Sequence, residues 1–220
     1  MQTKSLSLHH IIQTPAKASE KSPVLFLFHG YGSDENDLFS FAPELPEELF
    51  IISVRAPHPM QPMGNAWYAI YFDANDGKFS DDQQAIASRD MISAFIDEAI
   101  AAYNLDADNV SLLGFSQGTI LSYAVALSYP EKINNVIALS GYINTAILKK
   151  GYDNHNFSNL NIYCSHGSVD QVIPIEWARK APELLKELGI ATQLEEYPVG
   201  HGVAPQNFYA FKEWLIPKIG

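Results

Sequence analysis

Residues 112 to 118 read LLGFSQG and place Ser116 between Gly114 and Gly118, with one residue on either side. Such a serine is either an ordinary hydroxyl in a tight turn or a nucleophile, and the spacing alone does not separate the two, because glycine and serine are both common residues. A serine hydroxyl is a weak nucleophile near neutral pH. Acyl transfer through Ser116 would therefore need a base, a carboxylate to orient that base, and a place for developing negative charge. Each has to be found independently in the chain.

The chain holds seven histidines. His201, in YPVGHGVAPQ, follows the predicted strand ATQLEEYPV and precedes the last predicted helix; Gly200 and Gly202 on either side are expected to let its loop fold over the serine. His9 and His10 fall on an edge strand, and His58 and His155 in loops. His166 directly follows a strand and competes for the role, but it reads better as support for the loop that carries the acid. That acid is Asp170 in CSHGSVDQVIP, which lies between Ser116 and His201 in the order Ser, Asp, His. Its alternative is to cap the helix beginning near Pro174, since Asp is a favoured capping residue. Asp153, beside lysines, is the poorer candidate. The segment LFHGYGS follows a central strand and offers the backbone N–H of Tyr31, to be paired with that of Gln117, for an oxyanion. His29 is expected to bond the backbone of this loop.

The elements that must position these residues are visible as short apolar runs alternating with amphipathic stretches. SPVLFLFHG (22–30), LFIISVRAP (49–57), NVSLLG (109–114), NNVIALSG (134–141) and NLNIYCSHG (159–167) read as strands buried on both faces. Between them, DDQQAIASRDMISAFIDEAIAAYNL sets Ile86, Met91, Phe95, Ile96, Ile100 and Tyr103 on one stripe. GTILSYAVALSYP starts right after Ser116 and stops before Pro130. PIEWARKAPELLKELG opens with Pro174 and closes on Gly189, with Pro182 expected to kink or split it. PQNFYAFKEWLIPKI carries Phe208, Phe211, Trp214 and Leu215 at helical spacing. The alternation implies an α/β fold: a doubly wound, mostly parallel sheet with helices on both faces, with SLSLHHIIQT adding an antiparallel N-terminal edge strand. In such sheets ligands sit outside the carboxyl ends of the strands, where Ser116, Asp170 and His201 all fall. Two stretches fit less well. Residues 56–82, rich in Pro, Met and aromatics, read as a functional loop, and 145–159 as a solvated excursion. One domain, 1–220, is expected.

Net charge is -11, which argues against nucleic acid and anionic bilayers as partners. The first 22 residues lack the apolar stretch of a secretory signal and no run is long enough to span a bilayer, so a soluble, cytoplasmic protein with no stable membrane association is expected. Cys164 is the single cysteine, which excludes an internal disulfide and a CxxC site; it reads as a buried, inert thiol.

The segments FLFHGYGSDENDL, LLGFSQGTILSYAVAL, HGSVDQVIP and GHGVAPQ together resemble the carboxylesterase, phospholipase and acyl-protein thioesterase group of small α/β-hydrolases, over about residues 22–216. The resemblance implies a Ser116, Asp170, His201 triad, no metal or organic cofactor, and a small-molecule acyl ester as substrate. It also implies that GNAWYAIYF flanks an acyl pocket, with Trp67 and Tyr68 touching substrate; Met60 and Met63 nearby are added as contacts. The expected activity is carboxylic ester hydrolysis, with lysophospholipase or acyl-thioesterase activity on longer chains as the alternative and a silent binding protein of the same fold as the rival from another class. Fold analogy is compatible with a homodimer.

Overall fold

Each apolar run alternates between two sets of partners, and this decides the layers. In the computed structural model, residues 2–17, 19–73 and 77–219 are described. Among them the strands β1 (His10–Gln13), β2 (Val24–Phe28), β3 (Phe50–Val54), β4 (Val110–Phe115), β5 (Asn135–Leu139), β6 (Asn161–Gly167) and β7 (Leu194–Tyr197) form one sheet in the order β1-β3-β2-β4-β5-β6-β7. β1 pairs antiparallel with β3 at the edge, and the remaining pairs are parallel. Successive side chains of a strand point to opposite faces. Phe26, Phe28, Ile52, Leu112, Val136 and Cys164 therefore share one core with the helices α1 (Asp82–Tyr103) and α2 (Gln117–Ser128), while Leu25, Leu27, Ile51, Leu113, Ile137 and Tyr163 share the other with α5 (Pro205–Leu215). This is the doubly wound α/β arrangement expected from the alternation of elements.

Differences from expectation have local causes. In α1 the inward stripe runs through Ala85, Ser88, Ile92, Phe95, Ile96, Ala99 and Tyr103, so Met91 is turned outward and exposed; Ile92 holds the place assigned to it, because steps of three and four from Ser88 and Phe95 meet at 92. As expected, the stretch around Pro182 is split, into α3 (Ile175–Ala178) and α4 (Ala181–Glu187), since a proline there has no N–H to bond back to residue 178. Residues 145–159 are not a freely solvated excursion. Ile147, Leu148 and Phe157 are buried in the core, and Arg89 of α1 donates to the Ile147 carbonyl. The stretch 56–82 forms a small ladder of His58–Pro59 with Asn65–Ala66 and a hairpin of Ile70–Asp73 with Gly77–Ser80; its residues 74–76 lie outside the described residues. Among the described residues no helix is long and apolar enough to cross a membrane.

The passage from β4 to α2 is the tightest point of the fold. A Cβ on Gly118 would stand 1.9 Å from the Phe28 carbonyl oxygen of β2, and one on Gly114 would stand 2.5 Å from the Gly118 carbonyl oxygen. Backbone occupies both places, so no rotamer change relieves the contact. Gly118→Ala is expected to lower the unfolding free energy by about 3 kcal/mol or more in urea titrations. A value within about 0.5 kcal/mol of wild type, as at an ordinary surface position, would contradict this account.

Candidate active site

Ser116 follows β4 directly and precedes α2, with φ 54° and ψ -115°. A non-glycine residue held there is strained, and the strain is sustained by the Ser116 N–H bonding the Leu139 carbonyl at 3.0 Å. The turn lifts the hydroxyl off the carboxyl end of the sheet. Asp170 follows β6 on the same rim, and His201 lies on the loop between β7 and α5. The structure brings the three together: His201 Nε2 stands 2.9 Å from Ser116 Oγ and His201 Nδ1 2.6 Å from Asp170 Oδ2. An ionised carboxylate only accepts, so Nδ1 carries the proton and Nε2 is free to accept from the serine. The approach of the histidine loop depends on an unexpected glycine. Gly200 and Gly202 have open space around them and ordinary φ, whereas a Cβ on Gly167, at the end of β6, would stand 2.1 Å from the Gly200 carbonyl oxygen.

Asp170 does not cap a helix; its Oδ1 accepts from the backbone N–H groups of Val172 and Ile173 at 2.8 and 3.0 Å. Burial works against its ionisation, but the hydrogen bonds from His201, Ile173 and Val172 outweigh it and hold the carboxyl below its ordinary pKa. His166 takes the supporting place: its Nε2 lies 2.8 Å from the Ile173 carbonyl oxygen and 3.3 Å from Asp170 Oδ2. His29, likewise, binds backbone. Its Nε2 accepts from the Ala56 N–H, so Nδ1 donates to the Gly30 carbonyl, and burial, only partly offset by the Gly30 bond, lowers its pKa. The loop that continues from Tyr31 is tied to β3 by a buried carboxylate. Arg55 bonds both oxygens of Glu35 at 2.6 and 2.5 Å, and the Ser53 hydroxyl donates to the Glu35 carbonyl. Burial opposes ionisation of Glu35, and Arg55 more than compensates, leaving its pKa lowered.

A cavity of about 910 Å³ opens above Ser116. Tyr31, Gln117 and His201 stand around the hydroxyl, and Tyr68, Ile70, Ile120, Tyr142, Ile143 and Leu184 give the cavity apolar walls. Of the four expected substrate contacts, Tyr68 alone lines it. Trp67 is fully buried beneath, its ring against Phe28 and His29 and its indole N–H bonded to the His29 carbonyl at 3.0 Å. Met63 is 78% exposed and Met60 is half-buried; both lie in the turn that joins the two strands of the ladder, and neither lines the cavity. The walls that sequence reasoning missed come from loops after β5 and β6, where Tyr142 packs edge-on against Trp177 at 5.0 Å. Trp177, set among Glu176, Arg179 and Lys180 in PIEWARKAP, was the one available signal. Cys164 is buried, and that burial raises its thiol pKa. Among the described residues no group of three His, Cys, Asp or Glu side chains is placed to hold a metal ion.

A family profile described as phospholipase/carboxylesterase matches residues 9–217. The chain is similar to acyl-protein thioesterase 1 of Candida albicans, 28% identical over 194 residues covering 81% of this chain and 83% of that one. It is also similar to acyl-protein thioesterase 1 of Debaryomyces hansenii, 28% identical over 205 residues covering 85% and 87%. In fold it is similar to a carboxylesterase of Bacillus cereus, with a TM-score of 0.81 at 20% identity over 96% of this chain and 95% of that one.

The lowered pKa of Asp170 has a consequence for stability. A carboxyl whose folded pKa lies below the unfolded value stabilises the fold fully above the unfolded value, and that contribution is lost as pH falls through the folded one. Unfolding free energy measured in urea at stepped pH should therefore fall less steeply below about pH 4 in Asp170→Asn than in wild type. Equal slopes would contradict the assignment.

Proposed function

The chain belongs to the phospholipase/carboxylesterase family, and on that premise we propose that it hydrolyses carboxylic esters and thioesters through an acyl-enzyme on Ser116. The observation that most supports this reading is the unbroken line Ser116 Oγ, His201, Asp170 at 2.9 and 2.6 Å beside a cavity of about 910 Å³. In the proposed reaction the serine oxygen attacks the acyl carbonyl while its proton passes to His201 Nε2, and Asp170 stabilises the imidazolium that forms. The negative oxygen is met by the backbone N–H groups of Tyr31 and Gln117. The C–O or C–S bond to the leaving group then breaks, with the proton returning from Nε2 to the departing alcohol or thiol. Water repeats the cycle on the acyl-enzyme.

The cavity supports a preference for extended acyl groups over acetyl. Its volume is in the range that encloses a drug-sized ligand, and Tyr68, Ile70, Ile120, Tyr142 and Ile143 share its lining with a few polar groups, Asp82 and Lys180 among them. Burying one methylene is worth about 0.8 kcal/mol. In a p-nitrophenyl ester series kcat/KM is thus expected to rise by up to about fourfold per added methylene until the chain outgrows the cavity. A profile that peaks at acetyl would favour a short-chain esterase instead.

For the nucleophile, a fluorophosphonate probe is expected to label wild type at one site and to leave Ser116→Ala unlabelled. Equal labelling of both, or an absence of turnover on any activated ester, would reject the acyl-enzyme reading.

A further inference from the structure

Residues 67–69 belong to no strand, yet Trp67 and Tyr68 are buried. Buried peptide groups need partners, and here side chains supply them. The Trp67 N–H donates to Gln117 Oε1 at 2.8 Å, and the Tyr68 carbonyl accepts from Gln117 Nε2 at 2.8 Å. One carboxamide thus bonds this segment as a neighbouring strand would. Ser88 donates to the Trp67 carbonyl, and the Ala69 N–H donates to Gln84 Oε1. From Trp67 the indole N–H continues to the His29 carbonyl, two residues before Tyr31.

We propose that Gln117 is a positioning residue: its carboxamide, acting apart from its own peptide N–H, fixes the separation of the two oxyanion donors through the Trp67 backbone and indole. The inference rests on the acyl-enzyme reading above. The elbow fixes the Gln117 peptide at the head of α2, but it does not fix the Tyr31 peptide. Tyr31 is exposed, and the loop that carries it is tied outward, its Gly32 N–H bonding the Asn65 carbonyl at 2.9 Å. Two donors stabilise one oxyanion only if both lie within about 2.7–3.1 Å of it. A buried strut between the two peptides supplies that constraint from within. The path is Gln117 carboxamide, Trp67 backbone, Trp67 indole, His29 carbonyl, and the His29 ring closes it by its bonds to Gly30 and Ala56.

The test uses two variants that leave every proposed reacting group in place. Gln117→Met keeps the side-chain length and the peptide N–H but makes neither bond to residues 67 and 68; Trp67→Phe keeps a ring against Phe28 but loses the indole donor. Kinetics on a p-nitrophenyl ester are combined with inhibition by an alkylboronic acid, whose tetrahedral serine adduct places an oxygen where the oxyanion forms. Gln117→Met is expected to lower kcat by about tenfold or more, with KM within about threefold and boronate affinity falling in step with kcat. Trp67→Phe should move the same two quantities by less, and the double variant should be no worse than Gln117→Met alone, because both interrupt one path. A kcat and a boronate affinity within about twofold of wild type, with only the thermal midpoint lowered, would reduce the carboxamide to a structural clamp and overturn the proposal. Should Gln117→Met not fold, Trp67→Phe decides by the same readouts. Failure of the underlying reading is distinguishable, because Ser116→Ala would then remain labelled by fluorophosphonate and active.

Discussion

Between Phe28 of β2 and the first turn of α2 there is room for backbone and nothing more. Most of the site can be derived from this restriction. Because α2 has to start against the carbonyl end of β2, the chain leaving β4 reverses within one residue, and that residue, Ser116, adopts φ 54°. The reversal stands the hydroxyl above the sheet and brings the head of α2 beside the loop that leaves β2. The proposed nucleophile and the head of α2 are therefore placed by packing, before any other side chain of the site is considered. Thr119 reinforces the turn, its hydroxyl standing 2.6 Å from the carbonyl oxygens of Gly114 and Leu139.

The remaining part of the site is electrostatic. Asp170 is a buried carboxylate in a chain of net charge -11, and desolvation alone would favour its neutral form. Three nitrogens answer this: the peptide groups of Val172 and Ile173 on one oxygen and the ring of His201 on the other. A carboxylate satisfied from both sides keeps its charge and its direction, which is what an imidazole needs to present Nε2 to the serine. Glu35 follows the same logic beneath the Tyr31 loop, with a bidentate arginine replacing the peptide groups. The two buried carboxylates thus hold the two loops that enclose the serine.

What could be read from the sequence was whatever follows from period, capping or spacing. The apolar runs around 24–28, 135–139 and 161–167 became strands because burial on both faces leaves a composition that no loop needs, and the helix after Ser116 followed from a turn that glycine alone permits. The lining of the cavity was not legible. Tyr142 and Ile143 of the segment after β5 and Leu184 of α4 line one cavity, and contacts between segments 40 residues apart leave no periodic trace. Trp67 was misread for a related reason. An aromatic pair in a loop suggests a binding surface, yet Trp67 and Tyr68 are both buried. Both pack in the core, and Tyr68 alone also lines the cavity.

Machinery and walls also differ in how they are held. Ser116 and Asp170 follow β4 and β6, strands paired on both sides, and His201 follows the edge strand β7, which is paired with β6 alone. The walls contributed by residues 142–145 and 172–184 hang on short helical turns and on side-chain contacts such as that between Tyr142 and Trp177. Positions of this second kind tolerate exchange, because replacing a wall residue leaves the ladder and the elbow untouched. Cavity shape, and with it acyl preference, can therefore diverge among relatives while the serine, the imidazole and the carboxylate stay in register. This separation gives a physical reason why one fold is shared by proteins named as a carboxylesterase and as an acyl-protein thioesterase: under the proposed reaction, bond cleavage depends on the strand ends and the choice of acyl chain on the loops above them.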